Sequence, residues 1–178
     1  MRFKKFKFKK VNSTNNTAIR IIKNSNLKFG MVTADTQLSG KGQYGKKWIS
    51  NKGNLFVSFF HEIKNINISL STLTKINCLL VKKTIEKYYK KKIIFKKPND
   101  LLINKEKISG ILQEIITKSD KKFLITGIGI NVIKNPNIKN YPATNLYTIT
   151  GKKIKKSELE NNLKLFFENQ ISKMYKIN

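Results

Sequence analysis

The amino-acid sequence predicts an α+β protein in which a mixed, largely antiparallel sheet is flanked by helices. Segments with strand character outnumber helical ones and mostly follow one another directly, whereas a doubly wound parallel sheet needs a helix between successive strands. The chain has 178 residues, of which 39% are hydrophobic and 10% aromatic, enough for a buried core. No repeat, linker or change of composition interrupts it, so we expect one domain over residues 1–178.

The first half of the sequence predicts strands around one helix. Residues 6–11 alternate aromatic and basic side chains, residues 29–36 form a short strand, and residues 47–60 have strand character with an apolar core at 55–60. After the first strand, Ser13 stands where a helix N-cap is expected, before apolar residues at helical spacing. These apolar residues are Ala18, Ile19 and Ile22.

The second half predicts two helices and three strands. An apolar stripe along residues 70–89 indicates the first helix, and Ser157 opens the second, with Glu160 three residues later as a capping box. The strands are expected over residues 93–95, 107–116 and 123–132. Between the first two strands, Pro98-Asn99-Asp100 indicates a turn.

Basic residues dominate the charge, since 37 lysines and arginines against 10 acidic residues give a formal net charge of +27. Such an excess suits a phosphate-bearing partner, nucleic acid above all. All but Arg2 and Arg20 are lysines, however, and lysine lacks the bidentate guanidinium that specific nucleic-acid readers use. Asn and Ile are also abundant, as drift toward AT-rich codons would produce. The charge therefore leaves two explanations open, a compositional one and a selected polyanion-binding surface.

The sequence excludes an internal disulfide and a Cys–His zinc site, and it lacks the patterns of a membrane-spanning helix and a signal peptide. Cys78 and His61 are the only residues of their types, so an internal disulfide is excluded, as is a zinc site built on this pair. No apolar run approaches the roughly 20 residues of a membrane-spanning helix. The N-terminal residues alternate basic and aromatic side chains and lack the apolar stretch of a signal peptide. We therefore expect a soluble cytoplasmic protein.

A glycine-rich loop lies over residues 39–45 and contains Gly40, Gly42 and Gly45. Its spacing matches a dinucleotide-binding pattern, but that pattern needs a helix to follow, and a strand is predicted there instead. Closely spaced glycines still permit positive φ and let backbone N–H groups approach an anion, and neighbouring lysines add positive charge. The loop is thus either an anion-binding element or a mobile hairpin loop.

Five single residues are further candidates. Trp48, the only tryptophan, is either a core residue or a surface on which a base stacks. Asp100 is either a solvated turn residue or, beside a phosphate site, a magnesium ligand. Lys107 differs from the solvent-covering lysines because it opens an apolar strand next to the Asp100 turn. Gly127 and Gly129 alternate along a strand, so one face there lacks side chains and leaves room for another group.

Six segments, in this order, resemble the biotin protein ligases and together span almost the whole chain. They are Ser13-Thr14-Asn15; Gln37 with residues 40–48; Pro98-Asn99-Asp100; residues 107–112; residues 127–131; and Ala143-Thr144-Asn145-Leu146. The resemblance implies the catalytic fold of these ligases, which is similar to that of class II synthetases. It also implies that biotin and ATP, with Mg²⁺, give biotinyl-5′-AMP and pyrophosphate. Biotin is then transferred to a lysine of a biotin carboxyl carrier protein domain of a carboxylase.

The resemblance implies a role for each matching residue. Lys107 would lie between the biotin carboxylate and the α-phosphate, and Asp100 would be the second catalytic residue and a magnesium ligand. Biotin contacts are implied for Ser13, Thr14, Asn15, Gln37, Lys41, Gly42, Gln43, Lys107 and Gly110. Nucleotide contacts are implied for Gly40, Lys41, Trp48, Asn99 and Asn131. The glycine loop is expected to become ordered over bound biotin.

The sequence departs from the family pattern at two positions. Gln43 stands where the loop usually has arginine, which predicts weaker retention of the adenylate, and Lys97 stands where tryptophan is usual. We expect neither the winged-helix extension nor the C-terminal barrel that occur in the family, hence no repressor activity, no specific DNA binding and no membrane partner. A homodimer is left open. The alternatives are a lipoate ligase or octanoyltransferase of the same fold, an inactive ligase, and a lysine-rich nucleic-acid-binding protein.

Overall fold

The computed structural model describes residues 2–63 and 68–175, and within these ranges the chain forms seven strands and four α-helices. The strands are β1 (Lys4–Val11), β2 (Phe29–Gln37), β3 (Leu55–Ile63), β4 (Ile94–Lys96), β5 (Asp100–Ile103), β6 (Glu106–Lys118) and β7 (Lys121–Ile130). The helices are α1 (Thr14–Lys23), α2 (Leu70–Ile85), α3 (Leu146–Thr150) and α4 (Lys156–Tyr175). All seven strands belong to one sheet, in the order β1-β2-β3-β7-β6-β5-β4.

The sheet is mixed and largely antiparallel, which confirms the predicted fold class. β1 and β2 are parallel, because α1 connects them, and every other neighbouring pair of these strands is antiparallel. Among the described residues, no helix combines the length and the apolar content needed to cross a bilayer.

Helices cover both faces of the sheet. On one face, Ala18 and Ile22 of α1 pack in a cluster with Val32, Phe60 and Ile125. On the other face, α2 and α4 cover the larger core, whose side chains alternate along the same strands with those facing α1. There the rings of Phe59 and Phe167 stack at 4.2 Å between centroids. Burying a side chain of this size stabilises the fold by about 1.5–3 kcal/mol.

Several boundaries differ from the predicted ones. The segment predicted as a strand from residue 47 is irregular up to residue 54, because its glycine and asparagine residues form turns, and β3 begins at Leu55. The helix predicted to residue 89 ends at Ile85, and the strand predicted over 93–95 is Ile94–Lys96. The turn after β4 ends one residue earlier than predicted, since Asp100 is buried and opens the unpredicted strand β5 opposite Gly110 of β6.

Of the two predicted helix caps, the position of the first is confirmed and the second is wrong. Ser13 is the N-cap residue of α1, but its side chain makes no capping hydrogen bond. The last helix starts at Lys156, so Ser157 lies inside its first turn and cannot cap it. Glu160 is buried and forms an ion pair with Lys5 of β1 instead. Tertiary pairing of a buried carboxylate thus replaces the local capping box.

Cys78 and His61, the only residues of their types, are both buried. Burial raises the pKa of the Cys78 thiol to about 12, with a smaller contribution from the Asp100 charge. Burial lowers the pKa of His61 to about 4, and the imidazole packs edge-on against Tyr175. His61 is therefore neutral in the folded chain at neutral pH.

We expect the buried imidazole to make stability fall in mild acid. The unfolded chain binds a proton at His61 near pH 6.5 and the folded chain only near pH 4, so stability is complete above pH 6.5 and is lost as the pH falls toward 4. The loss amounts to about 3 kcal/mol. Urea unfolding at pH 7 and pH 4.5 should show a smaller pH dependence for His61→Phe than for the wild type. Equal pH dependences would contradict this.

Candidate functional site

A cavity of about 580 Å³ opens on the face of the sheet that carries α1. Its floor is formed by three glycines, Gly110 of β6 and Gly127 and Gly129 of β7. The N-terminal residues of α1 close one end, and the glycine loop, residues 96–99, Ile138 and Asn140 form the rim. The cavity therefore lies where several polar segments meet a strip of sheet without side chains.

The glycine floor is required by the two side chains that lie on it. A Cβ atom at Gly129 would lie 2.3 Å from Cε2 and Cζ2 of Trp48, and one at Gly110 would lie 2.9 Å from Cζ3 of the same ring. A Cβ atom at Gly127 would lie 2.3 Å from Oδ1 of Asn15. The room predicted beside the alternating glycines is thus filled partly by the protein's own side chains. Trp48 is half-buried, so part of its ring stays available to the cavity.

The closed end of the cavity is a hydrogen-bonded polar cluster. Gln37 Oε1 accepts hydrogen bonds from the backbone N–H (2.8 Å) and the hydroxyl (3.1 Å) of Thr14. The Ser58 hydroxyl lies 2.8 Å from Thr14 Oγ1 and 2.5 Å from Asn15 Oδ1, and can donate to one of them at a time. Asn15 Nδ2 donates to Glu114 Oε2 at 2.6 Å. These hydrogen bonds hold the side chains in fixed orientations. A polar ligand can replace one of the partners and take over its hydrogen bond.

An ion pair marks the middle of the cavity. Lys107 Nζ lies 2.7 Å from Asp100 Oδ1, and the Lys107 side chain is 20% exposed. The hydroxyl of Tyr141 donates to Asp100 Oδ2. The pKa of Tyr141 is raised, first by burial and then by the negative Asp100. Lys107 Nζ also lies 5.3 Å from the ring centroids of both Trp48 and Tyr141, within the range of a cation–π interaction.

The backbone around Lys107 is fixed on both sides. Its N–H donates to Pro142 O at 2.9 Å, and its carbonyl accepts from Thr144 N–H at 3.0 Å. Asn131 is buried below this segment, where its Nδ2 donates to Lys107 O (3.3 Å) and Thr144 O (3.0 Å). Asn131 does not line the cavity, so the geometry gives it a supporting position, and its predicted contact with a nucleotide stays a prediction.

The glycine loop forms a short hairpin whose tip is a 3₁₀ turn, Gln43–Gly45. Trp48 N–H donates to Gly40 O, and Gly42 N–H donates to Lys46 O. Of its three glycines only Gly45 has a positive φ, 73°. Gly40 lies at the base of the hairpin rather than on the cavity wall, and a Cβ there would be 2.5 Å from Trp48 O. Gly45 is thus needed for its positive φ, and Gly40 is needed because a side chain there would clash with the Trp48 carbonyl.

Positive charge surrounds the mouth of the cavity. Five lysines line it in addition to Lys107, namely Lys41, Lys46, Lys47, Lys96 and Lys97. Asp100 is the one acidic residue among the described residues of the lining. The field at the mouth therefore attracts anions, and a polyphosphate most strongly.

The residues of the cavity suit a magnesium ion only if the phosphates of a bound nucleotide supply most of its ligands. No group of three His, Cys, Asp or Glu side chains suited to a metal ion occurs in residues 2–63 and 68–175. Both oxygens of Asp100 already have protein partners, Lys107 and Tyr141. Mg²⁺ is commonly held by one or two carboxylates together with substrate phosphates. Asp100 as a metal ligand therefore stays a prediction, conditional on bound nucleotide.

Apart from Gly40 and Asn131, the predicted site residues come together in this one cavity. They are Ser13, Thr14, Asn15, Gln37, Lys41, Gly42, Gln43, Trp48, Asn99, Asp100, Lys107 and Gly110. Asn99 also holds the start of β5, because its Nδ2 donates to Ile111 O at 2.6 Å.

Sequence reasoning missed three residues whose side chains make polar contacts in the site, Ser58, Glu114 and Tyr141. Ser58 and Glu114 are polar residues inside predicted apolar strands, and that contrast was a usable signal. Tyr141 carries no such signal, because it follows a stretch rich in Asn and Lys and lies 34 positions from Lys107 in the chain.

Comparisons with known proteins agree on one family. The model of the "Biotin/lipoate A/B protein ligase family" matches residues 7–131. The chain is 33% identical over 169 residues to "Bifunctional ligase/repressor BirA" of Bacillus subtilis, a match that covers 89% of this chain and 50% of that protein. The chain thus spans half the length of this curated relative.

Solved structures are similar over nearly the whole chain. A biotin protein ligase from Aquifex aeolicus in complex with biotin and ATP is 31% identical and superposes with a TM-score of 0.81, covering 98% of this chain and 73% of that one. A biotin protein ligase from Leishmania major in complex with biotinyl-5-AMP has a TM-score of 0.76 at 24% identity, covering 98% and 81%. At 24% identity, the similarity to the Leishmania major structure concerns the fold alone.

We expect Gly129→Ala to displace Trp48 from the floor, because the new methyl group would overlap the indole ring. Since Trp48 is the only tryptophan, its emission maximum should shift to longer wavelength as the ring becomes more hydrated. Gly127→Ala is the matched control, two residues away on the same strand, because its methyl group meets Asn15 instead. Equal shifts in both variants, or none in Gly129→Ala, would contradict the described floor.

Proposed function

The chain belongs to the biotin/lipoate A/B protein ligase family, and we propose that it activates biotin with ATP and transfers the biotinyl group to a lysine of a biotin carboxyl carrier domain. The observation that carries this proposal is the ion pair between Lys107 and Asp100, set on a glycine floor between a polar closed end and a lysine-rich mouth. Similarity to ligases bound to biotin and ATP supports it. We assign both steps to residues 1–178 as one catalytic unit, and a cytoplasmic location stays a prediction.

In the first step, a biotin carboxylate oxygen attacks the α-phosphorus of ATP, the bond to the β-phosphate oxygen breaks, and pyrophosphate leaves. The obstacle is repulsion between two anions. The ammonium of Lys107 is placed to lie between them, and the loop lysines and backbone N–H groups add positive potential in a partly water-excluded cavity. Mg²⁺ enters as part of the nucleotide substrate and neutralises polyphosphate charge. The carboxylate is already ionised at neutral pH, so no general base is needed.

In the second step, a neutral acceptor amine attacks the acyl carbon of biotinyl-5′-AMP, the bond to the phosphate oxygen breaks, and AMP leaves. The nitrogen must then lose a proton. Asp100 is the acidic side chain of the described cavity lining, and we assign to it the orientation of the amine and the passage of its proton to water. Because each Asp100 oxygen has its own partner, the carboxylate keeps its place while Lys107 contacts substrate.

The shape and polarity of the cavity suit the two ends of biotin. Its ureido ring needs a few fixed donors and acceptors, which Thr14 and Gln37 offer at the closed end. Its apolar ring and chain can lie on the glycine floor beside Leu112 of the lining. The carboxylate at the end of the chain then points toward Lys107.

Lipoate is the second candidate acid, because the matching family model covers lipoate as well as biotin ligases. The polar closed end favours biotin, since its ureido ring can form hydrogen bonds with Thr14 and Gln37 and a dithiolane ring has no strong hydrogen-bonding group. Release of pyrophosphate from MgATP should therefore require biotin and be much slower with lipoate. Faster release with lipoate would reverse the assignment, and release with neither acid would overturn the proposed function.

We expect Lys107→Ala to slow pyrophosphate release with biotin by about 100- to 1,000-fold, as for loss of a preorganised group that stabilises charge in a transition state. Lys90→Ala removes an exposed lysine outside the cavity and should retain wild-type activity, which controls for net charge. A Lys107→Ala rate within threefold of wild type would refute the role of Lys107. A nucleic-acid-binding protein, the alternative suggested by net charge, predicts no dependence on this residue.

Gln43→Arg should retain biotinyl-5′-AMP longer than the wild type does. Gln43 lines the cavity on the loop hairpin, and a guanidinium there adds a charged, bidentate partner for phosphate. We expect release of the adenylate in the absence of acceptor, followed by rapid filtration, to slow by about tenfold. Asn169→Arg, at an exposed position of α4, is the charge-matched control. Equal slowing in both variants would mean that net charge alone is responsible.

A further inference from the structure

We propose that Tyr141 is a positioning residue, which holds the Asp100 carboxylate in place so that Lys107 can leave it for the substrate. This inference rests on the function proposed above and adds to it a residue outside the six segments that carry the family resemblance. The geometry that points to it is a chain of contacts from Tyr141 through Asp100 to Lys107.

The two partners of Asp100 do not compete for the same atom. Tyr141 donates its hydroxyl proton to Oδ2, whereas Lys107 Nζ pairs with Oδ1 at 2.7 Å. When anionic substrate draws the ammonium away from Oδ1, the tyrosine hydroxyl is the contact that remains. A carboxylate with that contact keeps its orientation, whereas one without a partner is free to turn toward the lysines of the rim. Tyr141 thus keeps Asp100 available for the acceptor amine.

The position of Tyr141 depends on the backbone of Lys107. The next residue, Pro142, accepts the Lys107 N–H through its carbonyl at 2.9 Å, and Ala143 forms a parallel bridge with Lys107. Thr144 N–H returns to Lys107 O at 3.0 Å. The tyrosine is therefore fixed to the strand that carries the lysine, although 34 positions separate them in the chain. Local movement of one moves the other.

The ring of Tyr141 has a second effect, separate from that of its hydroxyl. Its centroid lies 5.3 Å from Lys107 Nζ and 4.6 Å from Lys96 Nζ. An aromatic face attracts a cation without neutralising it, so the ring helps to hold the ammonium in the cavity. Removing the hydroxyl alone and removing the whole ring should therefore have different consequences.

The test compares Tyr141→Phe, which keeps the ring, with Tyr141→Leu, which removes it. At saturating biotin and MgATP, we expect Tyr141→Phe to transfer biotin to the carrier domain about tenfold more slowly, with the KM for biotin unchanged, as for one lost hydrogen bond to a charged group. Tyr141→Leu should be slower still in pyrophosphate release. Tyr147→Phe, an exposed tyrosine on α3, is the matched control and should behave as wild type.

A double-mutant cycle shows whether Tyr141 acts through Asp100. In the Asp100→Asn background, Tyr141→Phe should change the transfer rate by less than twofold, because the contact it removes is already altered. A tenfold effect in both backgrounds would overturn the proposal, as would a Tyr141→Phe enzyme with the wild-type rate. A raised KM with unchanged kcat would assign Tyr141 to substrate binding instead and would equally overturn it.

A measurement that does not depend on catalysis distinguishes failure of the Tyr141 inference from failure of the proposed function. Acetic anhydride labelling followed by peptide mass spectrometry gives the reactivity of the Lys107 amine itself. We expect Tyr141→Leu to raise that reactivity severalfold, and Tyr147→Phe to leave it unchanged. If the wild type activates no acid but this pattern holds, the proposed function fails and the positioning by Tyr141 stands. If Lys107 reacts equally in all variants, the positioning fails whatever the enzyme activates.

Discussion

A lysine ammonium inside a cavity keeps a defined position only if an anion and a rigid backbone hold it there. Lys107 has both, since Asp100 pairs with its Nζ and the segment around Ala143 fixes its backbone on both sides. The other features of the cavity can be understood from this requirement. The start of β5 brings Asp100 opposite Gly110. The buried Asn131 donates hydrogen bonds to the carbonyls of both Lys107 and Thr144.

The glycine floor is the second constraint, and it carries a cost in stability. Glycine inside a strand loses more conformational entropy on folding than other residues, roughly 0.5–1 kcal/mol relative to alanine. Three such positions lie side by side on β6 and β7, and any side chain at Gly127 or Gly129 would strike Asn15 or Trp48. The larger core under α2 and α4, on the opposite face of the same strands, offsets this cost. The face that carries α2 and α4 thus holds the larger core, and the face that carries α1 has room for Asn15, Trp48 and the cavity.

The sequence was sufficient for the fold class and for most of the cavity lining, because strand periodicity, glycine spacing and short polar motifs are local properties. Local patterns failed where a long-range contact decided the outcome. Glu160 matched a capping box but pairs with Lys5 of a distant strand, and Asp100 matched a turn but is held in a strand by its pairing with β6. Tyr141 reaches the site because the next residues, Pro142 and Ala143, pair with the backbone of Lys107. No motif in the segment of Tyr141 indicates that pairing.

The central claim is that the Lys107 ammonium moves from Asp100 to the reacting oxygens while Asp100 stays in place. A crystal structure with a non-hydrolysable sulfamoyl analogue of biotinyl-5′-AMP tests this most directly. The predicted result places Lys107 Nζ within hydrogen-bonding distance (about 3 Å) of the acyl oxygen or the group that replaces the phosphate, with the biotin ring at Thr14 and Gln37. An analogue bound elsewhere, or a Lys107 that keeps Asp100 as its sole partner beside the bound analogue, would contradict it.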